Sequence, residues 1–316
     1  MSEERGRYNK SVPRYDALLV VSFGGPEKRD DVIPFLENVL RGRNVPRERM
    51  LEVAEHYYRF GGRSPINDQN RELIAQLRQV VELPVYWGNR NWHPLLADAV
   101  LQMRQDGVRR AIAFVTSAFG SYSGCRQYRE DIERARAAVP DPPVIDKIPP
   151  FAAHPGFLEA MADRVRQAVE IVPDGRLVFT AHSIPVAMAQ SSPYLHQLEA
   201  ACAGVAARAG REQWNLVYQS RSGPPGQPWL EPDVCDFLRA IRSNVVLAPI
   251  GFLSDHMEVL YDLDVQARAV CQQMGVKMAR AATVGTHPAI LQMIAEFCRG
   301  EPAACAAGCC PPLRRA

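Results

Sequence analysis

His182, Asp255, Glu258, Asp262 and Gln266 are side chains whose types and spacing could do chemistry. His182 closes the apolar run 177–181, and Glu258, Asp262 and Gln266 follow one another at steps of four. A helix sets residues at that spacing in one row along its axis. An imidazole titrates near neutral pH, so a histidine beside a carboxylate suits proton transfer or transient binding of a first-row divalent metal such as Fe²⁺. A plainer reading is also open. Asp255 could be a helix N-cap with Glu258 as its partner three residues on, a variant of the capping box without catalytic meaning, and a single loop histidine could be structural.

The surrounding pattern supplies elements to position these groups. Val245-Val-Leu-Ala-Pro-Ile250 has the length and composition of a strand buried on both faces, ending just before Asp255. Asp16-Ala-Leu-Leu-Val-Val-Ser22 reads as a first strand closed by Gly24-Gly-Pro26, with further strand-like runs at 83–87, 111–116 and 144–147. Helical patterns such as 72–77 and 95–103 separate them, and alternation of strand and helix predicts a parallel α/β sheet. After Pro149-Pro150 the pattern restarts, with a helix over 154–172, strands at 177–180, 215–219, 245–249 and 276–282, and a last helix over 288–298 that stops at Gly300. The expected architecture is therefore two Rossmann-like domains, each a four-stranded parallel sheet flanked by helices, with a cleft between them. Their bounds are 1–151 and 152–300, followed by a Cys-rich tail at 301–316.

Composition narrows the function. The chain has 37 basic and 35 acidic residues, a net charge of +2, so it lacks the footprint of a nucleic-acid binder. Its apolar runs fall far short of the roughly 20 residues that span a bilayer, and the N-terminal stretch lacks the apolar core of a secretory signal. We expect a cytoplasmic protein without a stable membrane anchor, whose eight cysteines stay reduced. Cys202, Cys235 and Cys271 sit singly in helical segments and read as core; Cys305, Cys309 and Cys310 do not.

Several motifs carry a specific resemblance over nearly the whole length. They are Ser22-Phe-Gly-Gly-Pro26, Gly61-Gly-Arg-Ser-Pro-Ile66, Phe179-Thr-Ala-His-Ser-Ile-Pro185, Gln219-Ser-Arg-Ser-Gly-Pro224, Pro228-Trp-Leu230 and Ser254-Asp-His-Met-Glu-Val-Leu-Tyr-Asp-Leu-Asp264. In these the chain resembles the ferrochelatases, lyases that insert Fe²⁺ into a porphyrin. The resemblance implies that His182 and Glu258 are the catalytic pair and contact the iron, with Asp262 as a relay. It also implies a porphyrin held near Phe23, Arg41, Arg43, Tyr58, Ser64, Tyr128 and Trp229, the arginines suiting propionates through their bidentate fork. Polar Asn67-Asp-Gln-Asn70 stands where membrane-associated relatives carry an apolar lip.

The segments at 22–27, 38–43 and 121–130 are most similar to the branch that acts on coproporphyrin III to give coproheme. Partners would be that porphyrin, Fe²⁺ and neighbouring enzymes of haem biosynthesis. Protoporphyrin IX as substrate, or a porphyrin or haem carrier without catalysis, are the alternatives. Cluster-bearing members of the branch imply a 2Fe-2S cofactor on Cys125, Cys305, Cys309 and Cys310, with Cys298 as a possible substitute ligand and a Cys₄ zinc site as the rival. Two departures stand out: Phe23, which cannot coordinate iron, replaces a tyrosine common in the branch, and Gln266 replaces a carboxylate.

Overall fold

The computed structural model describes residues 14–42, 45–223, 226–300, 305–306 and 308–312. In the first half, β1 (Ala17–Ser22) is followed by α1 (Val32–Leu40), α2 (Arg47–Arg59) and α3 (Ile66–Val80). Then come β2 (Val85–Asn89), α4 (Leu96–Gln105), β3 (Arg110–Val115), α5 (Gln127–Ala137) and β4 (Val144–Lys147). In the second half, α6 (Pro155–Ile171) leads into β5 (Arg176–His182), α7 (Val186–Gln190), α8 (Tyr194–Arg208), β6 (Trp214–Gln219) and α9 (Val234–Ile241). The chain continues through β7 (Val245–Ala248), α10 (Met257–Val259), α11 (Arg268–Gln273), β8 (Met278–Arg280) and α12 (Pro288–Arg299).

The strands form two four-stranded sheets, in the orders β2-β1-β3-β4 and β6-β5-β7-β8, and every pairing is parallel. This is the expected α/β architecture. A parallel sheet is covered by helices on both faces, which explains why β1 and β7 are apolar and buried along their whole length. Both sheets reverse their strand order at the same place, between β1 and β3 and between β5 and β7. Ligand sites in such sheets lie outside the carboxyl ends of the strands at that reversal, so His182, ending β5, and the loop leaving β7 are brought to one spot.

One apolar core runs through both halves. Phe114, Phe151, Phe157 and Phe179 belong to it with Leu77, Met161 and Ile294, and α12 packs on both α6 and α3. The halves are thus braced against each other through this core and α12.

Three local features differ from the sequence reading. The helix carrying the acidic row is α only over α10; Leu260–Ala267 is a π-helix. A second π turn, Tyr122–Arg126, interrupts the approach to α5 and places buried Cys125 at its end. Asn67 and Asn70 do not form a polar lip: they are 1% and 2% exposed. The Asn67 amide donates to Gly25 O, Glu27 Oε1 and His93 O, tying the loop after β1 to that after β2.

Candidate active site

The two loops that meet at the second reversal are held together by backbone. Gly251 N donates to Thr180 O at 3.1 Å, and a Cβ on Gly251 would stand 2.7 Å from Ala181 Cα. Only glycine permits that approach. The chain then turns into α10, and the cap is His256 rather than Asp255: His256 Nδ1 accepts from Glu258 N at 3.2 Å. Asp255 points its carboxylate to Arg280 instead. Glu258 is therefore no capping-box partner, because its backbone is what is capped and its side chain is free to face His182.

His182 Nδ1–H donates to Ser183 O. A carbonyl accepts only, so the neutral ring carries its proton on Nδ1 and presents Nε2 as an acceptor. Nε2 lies 3.7 Å from Glu258 Oε2. Burial pulls the His182 pKa down, but the Glu258 charge and hydrogen bond, the Ser183 carbonyl and Asp262 outweigh it and leave it raised. Glu258 answers in kind: burial opposes its charge, yet His182 and His256 hold its pKa down to about 2. Proton acceptor and carboxylate are thus paired at the strand ends.

Asp262 follows one turn on. A π turn takes more than four residues, so Glu258 and Asp262 remain on one side of the helix, and one amide reports it. Gln219 Nε2, at the end of β6, donates to Glu258 O at 3.2 Å and to Asp262 Oδ2 at 3.3 Å. Ser220, held at a left-handed φ of 61°, also donates its hydroxyl to Asp262. Backbone strain of that kind in a serine is retained where surrounding structure over-determines it. Burial raises the Asp262 pKa to about 6, with Glu258 adding to the rise and Ser220, His182 and Gln219 opposing it. A carboxyl poised there can take up and release protons at neutral pH. Gln266 is exposed, so the acidic row ends at Asp262.

The first half supplies the opposite wall. Tyr57 on α2 and Tyr128 on α5 both feel the Glu258 charge; burial is the main cause that raises each, Tyr128 to about 12. Arg90, just past β2, bonds Asp131 at 2.9 Å and stands 5.4 Å from the Tyr128 ring centroid. His56 on α2 stacks on Tyr261 of the π-helix at 3.8 Å, and Asp255 N donates to Gln69 Oε1 of α3 at 2.9 Å. The sequence reading missed Tyr57, Arg90, Gln219, Ser220 and His256. Arg90 and Ser220 carry a usable signal, since each directly follows a strand end; Tyr57 and His256 carry none without the fold.

The residues expected to hold a porphyrin divide by position. Phe23 meets Phe35 edge-on at 6.2 Å and belongs with Tyr57, Tyr58 and Trp92 to an aromatic group beneath the loop after β1. Tyr58 carries Arg29 over its ring at 4.2 Å. Ser64 is buried against Gly25. Tyr128 is also buried, with Arg90 over its ring. Trp229 is half-buried, its indole over Gly223, and it bridges to Pro185 just beyond His182. Arg41 is exposed and donates to Asn38 Oδ1, and Arg43 lies outside the described residues.

The cysteines separate as well. Cys202 and Cys271 are core, while Cys235 is only partly buried. Cys125, Cys305 and Cys309 line one cavity of about 300 Å³ with Arg126, Arg129 and Lys147. Burial and then the neighbouring thiols Cys125 and Cys309 push the Cys305 pKa up, and burial followed by the same neighbours raises Cys310 to about 11. Arg126 Nη1 donates to Cys309 O at 3.2 Å, docking this segment on the π turn. Cys298 packs instead against the main core from α12. Among the described residues no three His, Cys, Asp or Glu side chains close around a single metal-sized point.

Known proteins share both the fold and the sequence. Sirohydrochlorin chelatase SirB from Bacillus subtilis subspecies spizizenii superposes with a TM-score of 0.57 at 10% identity, covering 90% of this chain and 94% of that one. CbiX, described as the terminal enzyme of sirohaem biosynthesis in denitrifying bacteria, gives 0.53 at 16%, covering 89% and 96%. At such identities these establish the chelatase-like fold alone. By sequence, a ferrochelatase of Rhodopirellula baltica is 55% identical, over 90% of this chain and 85% of its own. A coproporphyrin III ferrochelatase of Nocardia farcinica is 48% identical over 95% and 97%, and one of Mycobacterium marinum 55% over 85% and 82%. The Ferrochelatase family model matches residues 15–301, a span that includes His182, Glu258 and both sheets, and the chain belongs to the ferrochelatase family.

Proposed function

We propose that this enzyme inserts Fe²⁺ into coproporphyrin III to give coproheme, with His182 and Glu258 as the catalytic pair. The observation that carries the chemistry is Nε2 of His182 facing Glu258 Oε2 at 3.7 Å. Metallation replaces two pyrrole N–H protons by one Fe²⁺. His182 Nε2 accepts a pyrrole proton as general base, and the imidazolium formed is stabilised by the Glu258 carboxylate. Glu258 is held ionised, so it can also ligate the incoming ion. Asp262, titrating near neutrality, receives the proton and passes it on, leaving the pair ready for the second.

The choice of porphyrin rests on the relatives named for coproporphyrin III and on the motifs at 22–27 and 121–130. Phe23, Tyr58 and Trp229 offer apolar surface to the macrocycle, while Arg41, Arg43 and Ser64 lie in the segments that would meet its propionates. Tyr128 would act from beneath, by holding Arg90. Residues 1–151 and 152–300 form the two halves of this reading. Its setting is the cytoplasm, supported by the short apolar runs of the sequence, beside enzymes that supply the porphyrin and consume coproheme; no helix among the described residues is long and apolar enough to cross a membrane.

A 2Fe-2S cluster on Cys125, Cys305, Cys309 and Cys310 is the second part of the proposal. Its support is the cavity that Cys125, Cys305 and Cys309 line together and the upward push that burial and neighbouring thiols give to Cys305 and Cys310. Bound there, it would tie the tail to the π turn through Cys125 and hold the sulfurs as thiolates that burial otherwise disfavours.

Anaerobic incubation with Fe²⁺ and each porphyrin, followed by loss of free-porphyrin fluorescence, tests the function. We expect fast conversion of coproporphyrin III, slower conversion of protoporphyrin IX, and no conversion by His182→Ala despite retained porphyrin binding. Equal rates would remove the substrate assignment, and an active His182→Ala the mechanism.

A further inference from the structure

The π-helix over Leu260–Ala267 requires something to hold it. A π turn is a poorer packing of backbone than an α turn and occurs mostly as a short insertion at functional sites. Here it separates Glu258, in the preceding α turn, from the residues that anchor the segment to the sheet. We propose that Arg280, on the edge strand β8, is the positioning residue that locks this π-helix and so aims Glu258 and Asp262.

One guanidinium grips both ends of the segment. Arg280 Nε donates to Asp264 Oδ1 and Oδ2 at 2.8 and 3.0 Å, and Nη1 donates to Asp255 Oδ1 at 2.8 Å. Between those two aspartates lie His256, Glu258 and Asp262. The Arg280 side chain is 14% exposed and the carboxylates of Asp255 and Asp264 are 21% and 24% exposed, so water does little to screen the bonds. Arg280 Nη1 also donates to Ala281 O, the carbonyl just past β8. Asp255 is held from the far side too, by Gln69 of the first half. The segment that carries the acidic groups is therefore gripped by Arg280 at both ends, by Gln219 and Ser220 between them, and by Gln69 and His56 from the first half.

Geometry makes arginine specific for this task. Its planar fork can bond two carboxylates held a fixed distance apart, whereas a lysine ammonium gathers its three donors at one point and cannot span them in that geometry. With Arg280 gone, Asp255 loses its cation and Asp264 keeps only Arg268, and the π register loses the contact that opposes relaxation to α. That relaxation would turn Asp262 away from Gln219 and Ser220. Arg268, which reaches Asp264 at 3.3 Å from the exposed side, cannot substitute because it does not touch Asp255.

The inference rests on the reaction proposed above, and the test keeps the two separable. Arg280→Lys, Arg280→Met, Asp264→Asn and the double variant Arg280→Met with Asp264→Asn are compared with the parent protein for kcat and KM with Fe²⁺ and coproporphyrin III, for porphyrin affinity by fluorescence, and for Tm. We expect Arg280→Lys to lose about tenfold in kcat with KM and porphyrin affinity within about twofold, the signature of a misaimed group rather than a lost contact. Arg280→Met is expected to lose more, and Asp264→Asn to add little once Arg280 is replaced, as for residues acting through one network. Parental kcat in Arg280→Lys, a kcat loss no larger than the loss of folded protein, or full additivity would overturn the lock. An inactive parent would instead remove the reaction.

Discussion

His182 Nε2 and Glu258 Oε2, 3.7 Å apart, move each other's protonation in opposite senses: the histidine is raised and the glutamate lowered. The consequence is a pH profile. A base that takes a pyrrole proton must be neutral, so activity should appear as pH rises through the raised His182 pKa. Glu258→Gln removes the largest influence holding it up, and burial then pulls it down. The rising limb of kcat/KM should move to lower pH while the maximal rate falls by about 10²–10⁴-fold, the usual worth of a positioned acid-base group. Asp262→Asn should move the limb in the same direction by less, because Asp262 is the weakest of the groups that raise His182. A limb that stays in place, measured by fluorescence across the neutral range, would separate His182 from the reaction.

Asp262 gives a prediction of opposite sign for stability. Its pKa is raised from 3.8 to about 6. Well below its unfolded pKa both states are protonated and the group is neutral to folding. As pH rises the unfolded chain ionises first, so the cost of burying the carboxylate grows and is complete above about 6. Asp262→Asn should therefore raise Tm by a few degrees in neutral buffer, and by nothing in strongly acidic buffer. Activity should fall in the same variant, since the relay is lost. A gain in Tm that is equal at both pH values would rule out ionisation as its cause.

The two-sheet fold was legible because buried parallel strands leave apolar runs that few other elements produce, and eight such runs fall where the eight strands stand. His182 was legible for the same reason, as the polar residue on which such a run ends. The acidic row was readable in membership but not in form. Steps of four suggest an α-helix, and no local signal distinguishes the π-helix, whose register depends on Arg280 sixteen residues beyond Asp264. Asn67 shows the converse failure: asparagine in a helix reads as surface, yet here its burial is compensated by loop carbonyls from distant segments. His256 as cap was hidden because Asp255, a commoner capping residue, stands beside it and is occupied elsewhere.

Gly251 tests whether close approach of the two loops matters. Its added Cβ would meet the Ala181 backbone at 2.7 Å, and a backbone atom cannot swing aside as the end of a side chain can. Gly251→Ala must push the loop after β7 away from β5, widening the gap from Glu258 to His182. We expect a loss of about 1–3 kcal/mol in stability, the range for overpacking a filled site, together with a kcat reduced at least tenfold in the protein that remains folded. Differential scanning calorimetry and the metallation assay read these separately. Full kcat in folded Gly251→Ala would show that the loop adjusts without moving Glu258.

The cysteine cavity gives the last prediction. In the unmetallated chain, burial and neighbouring thiols hold Cys305 and Cys310 protonated, a state that only a strongly thiophilic centre would reverse, by binding the thiolates themselves. Protein purified with its cluster should be brown, absorb in the visible, and contain iron and acid-labile sulfide in equal amounts. Cys125→Ser should abolish the colour, because Cys125 is fixed by the π turn and cannot be replaced by a cysteine of the tail. Cys202→Ser should keep it, since Cys202 is buried in α8, away from the cavity. A cluster bound there would also tie the tail to the body, so Cys125→Ser should speed proteolysis of the tail while leaving the two sheets resistant. Colourless protein with one zinc per chain, or colour unchanged by Cys125→Ser, would overturn the assignment of these four ligands.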